Sequence, residues 1–140
     1  MDTKCKILVV DDDETVRLSY RRSLASSQCN VELAWDGSEA LQAMEQQAFD
    51  VVLLDLRMPG MDGMAVLKAI KQKWPDSEVV IITGYPSLES AKEAVRLGAY
   101  DYLAKPLGPD DIINAAYGAM TQKKWALHSV CMNQTANHAY

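Results

Sequence analysis

The chain has 140 residues, enough for one domain with one sizeable core. It is 49% hydrophobic and 24% charged with a formal net charge of -5, which excludes the basic surface that general nucleic-acid binding needs. It contains no apolar run of about 18 residues to span a membrane, and MDTKCKILVVDDD lacks the long apolar segment and cleavage site of a secretory signal.

In chain order, residues 4–10 (KCKILVV) form an apolar run that ends in Asp11-Asp12-Asp13 and predict a first strand. Residues 14–26 predict a helix with Val16, Tyr20 and Leu24 on one face and an acidic start that suits the helix dipole. NVELAW (30–35) alternates and predicts an edge strand. Asp36-Gly37-Ser38-Glu39 then opens a helix that buries Leu41, Met44 and Ala48. Residues 51–55 (VVLLD) form a branched apolar run closed by one acid, the pattern of a strand buried on both faces. A loop follows over 58–63, then a helix over 64–73 with Leu67, Ile70 and Trp74 in register. EVVIIT (78–83) predicts a fourth buried strand ending in a hydroxyl. Leu88, Ala91, Val95 and Gly98 lie along one side of the next helix. AYDYLA (99–104) predicts a short fifth strand ending at Lys105-Pro106. Residues 110–120 predict a last helix with Ile113, Ala116, Tyr117 and Met120 in phase.

Five strand–helix repeats predict a doubly wound parallel α/β sheet of flavodoxin-like order 2-1-3-4-5. In such sheets ligands bind at the carboxyl ends of the strands. There this chain would gather Asp11-Asp12-Asp13, Asp55, Thr83 and Lys105. Clustered carboxylates stay ionised only when a cation joins them. Mg²⁺ takes one or two carboxylates together with phosphate oxygens. A carboxylate can also attack phosphorus to form an acyl phosphate, with an ammonium and a hydroxyl stabilising the transferred group.

Four segments carry a resemblance to the receiver domain of two-component response regulators: ILVVDDDETVR (7–17), VVLLDLRMPGMDG (51–63), VVIITGY (79–85) and LGAYDYLAKPL (97–107). The resemblance implies that Asp55 accepts a phosphoryl group from a histidine of a sensor histidine kinase or phosphotransfer protein. It implies Mg²⁺ as cofactor, held by Asp12 and Asp55 directly, by Asp11 largely through water, and by the backbone carbonyl of Arg57, whose side chain would point elsewhere. Thr83 would turn toward the phosphoryl group, Lys105 would be its ammonium partner, and Tyr102 would be the aromatic switch. Lys105-Pro106 matches a bond that is cis in the family. The surface from Leu88 to Tyr117 would meet a downstream protein or a second copy in a phosphorylation-dependent homodimer, with no direct contact to nucleic acid or membrane. The local style also resembles receivers attached to sigma-54-type transcription activators.

Several residues have plainer readings. Asp13 is expected to cap the following helix, and Tyr85 either overhangs the pocket or is an exposed loop residue. Met58, Met61 and Met64 read as gap fillers, and Trp35 and Trp74 as packing residues. Cys5, Cys29 and Cys131 read as reduced thiols of a cytoplasmic protein. His128 and His138 lack ligands at metal-binding spacing. Asp11-x-Asp13-x-Thr15 also matches the DxDxT pattern of haloacid-dehalogenase-type phosphatases, with Asp11 as nucleophile, but that reading leaves Asp55 and Lys105 without a role. A receiver over 4–123 is expected, with 124–140 as a helical extension or disordered tail and no output domain. The expected protein is a signalling phosphoacceptor that catalyses only its own phosphorylation and dephosphorylation.

Overall fold

The structure is a computed structural model that describes residues 5–25, 28–58 and 60–136, with side chains through residue 122. Its elements are β1 (Cys5–Val10), α1 (Glu14–Ser23), β2 (Cys29–Ala34), α2 (Gly37–Gln46), β3 (Val51–Asp55), α3 (Gly63–Lys73), β4 (Glu78–Thr83), α4 (Leu88–Arg96), β5 (Asp101–Ala104) and α5 (Pro109–Ala136). The five strands pair in parallel in the order β2-β1-β3-β4-β5. This is the doubly wound arrangement that the strand–helix alternation predicts.

The central strands are apolar on both faces, and their period of two divides the core. Ile7, Val9, Val51, Leu53, Val80 and Ile82 face α1 and α5, where Tyr20, Leu24, Ile112 and Ala119 meet them. Leu8, Val10, Val52, Leu54, Val79 and Ile81 face the other way, toward Ala40, Met44, Val66, Leu67, Ile70 and Ala94 of α2, α3 and α4. Each buried branched side chain contributes about 1.5–3 kcal/mol. A one-residue slip of β1 or β3 would exchange its two apolar sets between unlike layers.

The loops that leave the carboxyl ends of the strands share one device. Asp13, Asp36, Asp62 and Ser87 cap α1, α2, α3 and α4, each accepting a backbone N–H of the first turn. A cap of this kind is worth about 0.5–2 kcal/mol. It also fixes where each loop ends, and so where the residues just before it point. The Lys105-Pro106 bond is cis.

Several expected packing positions differ. α2 stops at Gln46, so Ala48 lies outside the helix and is exposed, and Phe49 fills the core instead. On α4 the inward face is centred on Ala94. The apolar stripe through Leu88 and Val95, 73% and 70% exposed, looks into solvent. On α5 the buried face is Ile112, Ala115, Ala116, Ala119 and Met120, while Tyr117 points outward. This face is turned by part of a helical step from the expected one, because small alanines let the helix lie close to the sheet. Trp35 is exposed rather than packed, whereas Trp74 is partly buried against the core. Met58 and Met64 pack on the core, and Met61 is exposed.

The cysteines require a larger correction. Cys5 and Cys29 form a disulfide. The parallel register sets them directly opposite one another at the start of β1 and β2, with Cα atoms 4.5 Å apart. α1 separates them in sequence, so spacing alone conceals the pair. α5 runs well past Met120, through Ala136. Pro59 and His138, and the side chains of Trp125, Leu127, His128, Val130 and Cys131, lie outside the described residues.

Candidate functional site

The register aligns the carboxyl ends of β1, β3, β4 and β5 along one edge of the sheet. β1 runs out at Val10, which delivers Asp11 to the crevice beside β3. The Asp11 N–H donates to the Ala34 carbonyl at 3.1 Å and the Arg17 guanidinium donates to the Asp11 carbonyl at 2.7 Å, so its backbone is tied on both sides. Its carboxylate accepts the Asp13 N–H at 2.9 Å through Oδ1. Asp55 is the last residue of β3, and its Oδ1 accepts the Arg57 N–H at 3.3 Å. β4 ends at Thr83 and β5 at Ala104. A hydrogen bond from the Lys105 N–H to the Thr83 carbonyl, 2.8 Å, extends the β4–β5 ladder by one step.

These ends place a buried acid pair against one ammonium. Asp11, Asp55 and Thr83 are only 2%, 5% and 1% exposed. Lys105 Nζ donates to Asp11 Oδ2 at 2.9 Å and lies 3.6 Å from Asp55 Oδ2. Burial first, and the charge of Asp11 second, raise the Asp55 carboxyl above its ordinary pKa, while Lys105 and the Arg57 N–H pull it back. Burial alone would lower the Lys105 ammonium, but its hydrogen bond to Asp11 and the charges of Asp11 and Asp55 outweigh that and raise it.

Asp12 completes the acidic group from a more exposed position. One oxygen each from Asp11, Asp12 and Asp55 lie within 4.8 Å of one another. Lys105 meets two of these three carboxylates, Asp11 and Asp55. This all-oxygen donor set, short of positive charge and open on the Asp12 side, fits a small hard divalent cation. Asp13 does not join it, because its carboxylate accepts the Thr15 and Val16 N–H groups at the start of α1. The DxDxT arrangement therefore lacks its second acid in the crevice.

Thr83 Oγ1 accepts the Tyr85 N–H at 3.0 Å. Tyr102 does not enter the crevice. Its hydroxyl accepts the Ser87 N–H at 3.1 Å and shares a hydrogen bond with the Ser90 hydroxyl, which ties β5 to the start of α4. The Arg57 side chain packs on the loop that follows β4. Its guanidinium lies over the Tyr85 ring, 4.2 Å from the centroid, so the β3 and β4 loops meet.

Four supports are not apparent from sequence patterning: Arg17, Gly63, Ser87 and Ser90. A Cβ on Gly63 would lie 2.6 Å from Leu56 Cα and 2.7 Å from the Asp55 carbonyl oxygen. Glycine thus lets α3 start directly against the end of β3. Asp62-Gly63 before an apolar run is a usable signal for the helix start, but not for this close approach.

Comparison with known proteins identifies the family and the fold. The family model described as response regulator receiver domain matches residues 7–117. The DNA-binding transcriptional regulator NtrC of Escherichia coli (strain K12) is 42% identical over 107 residues, which are 76% of this chain and 23% of that protein. The transcriptional regulatory protein ZraR of Escherichia coli (strain K12) is 47% identical over 106 residues, 76% of this chain and 24% of that protein. The chain therefore spans about a quarter of the length of these relatives. A CheY-like response regulator receiver domain protein from Methanospirillum hungatei JF-1 superposes with a TM-score of 0.85 at 28% identity, covering 89% of this chain and 99% of that one. NtrX from Brucella abortus superposes with a TM-score of 0.87 at 33% identity, covering 94% of this chain and 30% of that one.

Proposed function

The chain belongs to the response regulator receiver domain family, and on that premise we propose that Asp55 is its phosphoacceptor. The supporting observation is a buried carboxylate at the end of the central strand, 3.6 Å from the Lys105 ammonium and grouped with Asp11 and Asp12. An oxygen of Asp55 attacks the phosphorus of a phosphohistidine on a sensor histidine kinase or phosphotransfer protein. The P–N bond breaks, the imidazole leaves, and Asp55 keeps the phosphoryl group as an acyl phosphate.

Asp11, Asp12, Asp55 and the Arg57 carbonyl would hold Mg²⁺, which supplies charge neutralisation for the transferred phosphoryl oxygens. Lys105 offers an ammonium to those oxygens. Thr83 offers its hydroxyl after releasing the Tyr85 N–H. Movement of Thr83 vacates the space behind it, and Tyr102 turns inward once its hydroxyl leaves Ser87 and Ser90. That rearrangement shifts a pre-existing equilibrium of the α4–β5–α5 surface. The exposed Leu88, Val95 and Tyr117 support a protein-binding role for the surface from Leu88 to Tyr117, either for a downstream protein or for a second copy in a homodimer.

The receiver unit is assigned to residues 4–123, with the rest of α5 as its extension. The protein is a signalling domain rather than a classical enzyme, and its own turnover of the acyl phosphate is part of the proposal. No helix among the described residues is long and apolar enough to cross a membrane, which is compatible with action in the cytoplasm. DNA binding is a property of NtrC, of which this chain covers a quarter, and this domain is assigned no direct contact with nucleic acid. Incubation with acetyl phosphate and Mg²⁺, followed by borohydride trapping and peptide mapping, tests the assignment. Asp55 should carry the modification. A modified Asp11 would replace this reading with the phosphatase one.

A further inference from the structure

At the opposite end of the sheet from the acidic crevice, Cys5 and Cys29 bridge the first residues of β1 and β2. We propose that this pair is a reversible thiol–disulfide modification site, closed by a low-molecular-weight disulfide and reopened by a dithiol, whose state is felt along β2 and α5. The proposal is independent of the phosphoacceptor assignment.

Two observations argue that both redox states share one fold. β1 and β2 are already paired in parallel along six residue pairs, Cys5↔Cys29 to Val10↔Ala34, so the ladder does not need the covalent link. The helix enclosed between the two cysteines is anchored separately, with Tyr20 and Leu24 buried in the core beneath it. Opening the bridge thus leaves the thiols opposed in register and ready to close again. Both cysteines are half-buried, Cys29 on the edge strand β2 and Cys5 at the start of the neighbouring β1. A small reagent can reach such a position more readily than a protein oxidant can.

A third observation connects the pair with the rest of the domain. The two cysteines line a small apolar cavity together with Leu24 past the end of α1 and with Ile113, Ala116, Tyr117 and Met120 of α5. Two thiols need more room than one bridge, so reduction presses on the seat of α5. Tyr117 spans both sides, since it lines this cavity and is exposed on the outer face of the helix.

The chemistry balances with the named reagent. The thiolate of one cysteine attacks a sulfur of RSSR, the reagent's S–S bond breaks, and RS⁻ leaves and takes a proton. The second cysteine's thiolate attacks the protein sulfur of the mixed disulfide, forming the Cys5–Cys29 bond and expelling a second RS⁻. Two protein thiols are oxidised and one RSSR is reduced to two RSH.

The test uses the full chain with Cys131→Ser as a parallel variant. The fully reduced protein is incubated with oxidised glutathione, then alkylated and mapped by mass spectrometry. The three cysteines of the chain should all be alkylated before oxidation and only Cys131 after it, with the Cys5 and Cys29 peptides linked. Dithiothreitol should reverse this under native conditions. Backbone amides of β2 and of residues 112–120 should exchange with deuterium several-fold more slowly in the bridged form. Three free thiols at every oxidant ratio, a link that includes Cys131, or a bridge that opens only in denaturant would each overturn the proposal. So would reversible bridging with unchanged exchange in β2 and α5.

Discussion

Replacing Gly63 by alanine separates local propensity from tertiary packing beside the proposed phosphoacceptor Asp55. Gly63 is the first residue of α3, immediately after its cap Asp62. Helix propensity alone favours alanine over glycine by up to about 1 kcal/mol. The packing opposes it. A Cβ there would sit 2.6 Å from Leu56 Cα, 2.7 Å from the Asp55 carbonyl oxygen and 2.8 Å from the Leu56 carbonyl oxygen, all backbone atoms that cannot rotate away. Restoring an ordinary carbon–carbon contact of about 3.5 Å requires α3 and the end of β3 to separate by roughly 0.9 Å. Overpacking of this kind costs about 1–3 kcal/mol, so the net effect is destabilising. For a domain of this size each kcal/mol corresponds to about 3–5 °C in Tm. The same displacement moves the loop that carries the Arg57 N–H and carbonyl beside Asp55, so phosphorylation by acetyl phosphate should slow as well. Circular dichroism melts and a phosphorylation time course measure the two effects. Gly118→Ala is the control. There the near atom is the Tyr100 hydroxyl at 2.8 Å, the far end of a side chain that can swing aside, and the change should be close to neutral. A Gly63→Ala protein with unchanged Tm and unchanged phosphorylation rate would refute the reasoning.

Other consequences are open to direct measurement. Asp55→Asn should abolish labelling by a kinase or acetyl phosphate, and labelling at the parental rate would remove Asp55 from the mechanism. Lys105→Ala leaves Asp11 and Asp55 facing each other without their counter-charge, which should cost about 1–3 kcal/mol in the metal-free protein. Added Mg²⁺ should narrow that gap in thermal melts, and an equal gap with and without Mg²⁺ would show that the lysine does not balance those carboxylates. Tyr85→Ala removes the ring beneath the Arg57 guanidinium, and loss of the phosphoryl group should become several-fold faster in a decay assay. An unchanged lifetime would mean that the stacked pair does not limit water. Ser90→Ala deprives the Tyr102 hydroxyl of one of its two partners and should raise the fraction of the switched form without phosphorylation. Tyr102 ring shifts in an NMR spectrum report this, and a spectrum matching the parent would exclude a restraining role for Ser90.

The sequence by itself determined the strand–helix alternation, the parallel sheet and the strand ends that carry Asp11, Asp55, Thr83 and Lys105. These features rest on short-range patterning: short continuous apolar runs, closed by polar residues and followed by segments of helical period. The chemical grouping was legible because the right-handed crossover rule leaves few ways to arrange such a sheet. Which face each helix turns inward was less legible. Leu88 and Val95 have the spacing of a buried stripe, yet α4 packs through Ala94, because the depth available between neighbouring elements selects a small residue. The tertiary structure alone decided the contacts between residues far apart in the chain. Among them are the bridge between Cys5 and Cys29, the Arg57–Tyr85 stack, the hold of Ser87 and Ser90 on Tyr102, and the close seat of Gly63 on the end of β3. Each depends on how two elements are registered in space. One residue of register or about an ångström of approach makes or breaks such a contact, and neither quantity is encoded in the spacing along a single segment.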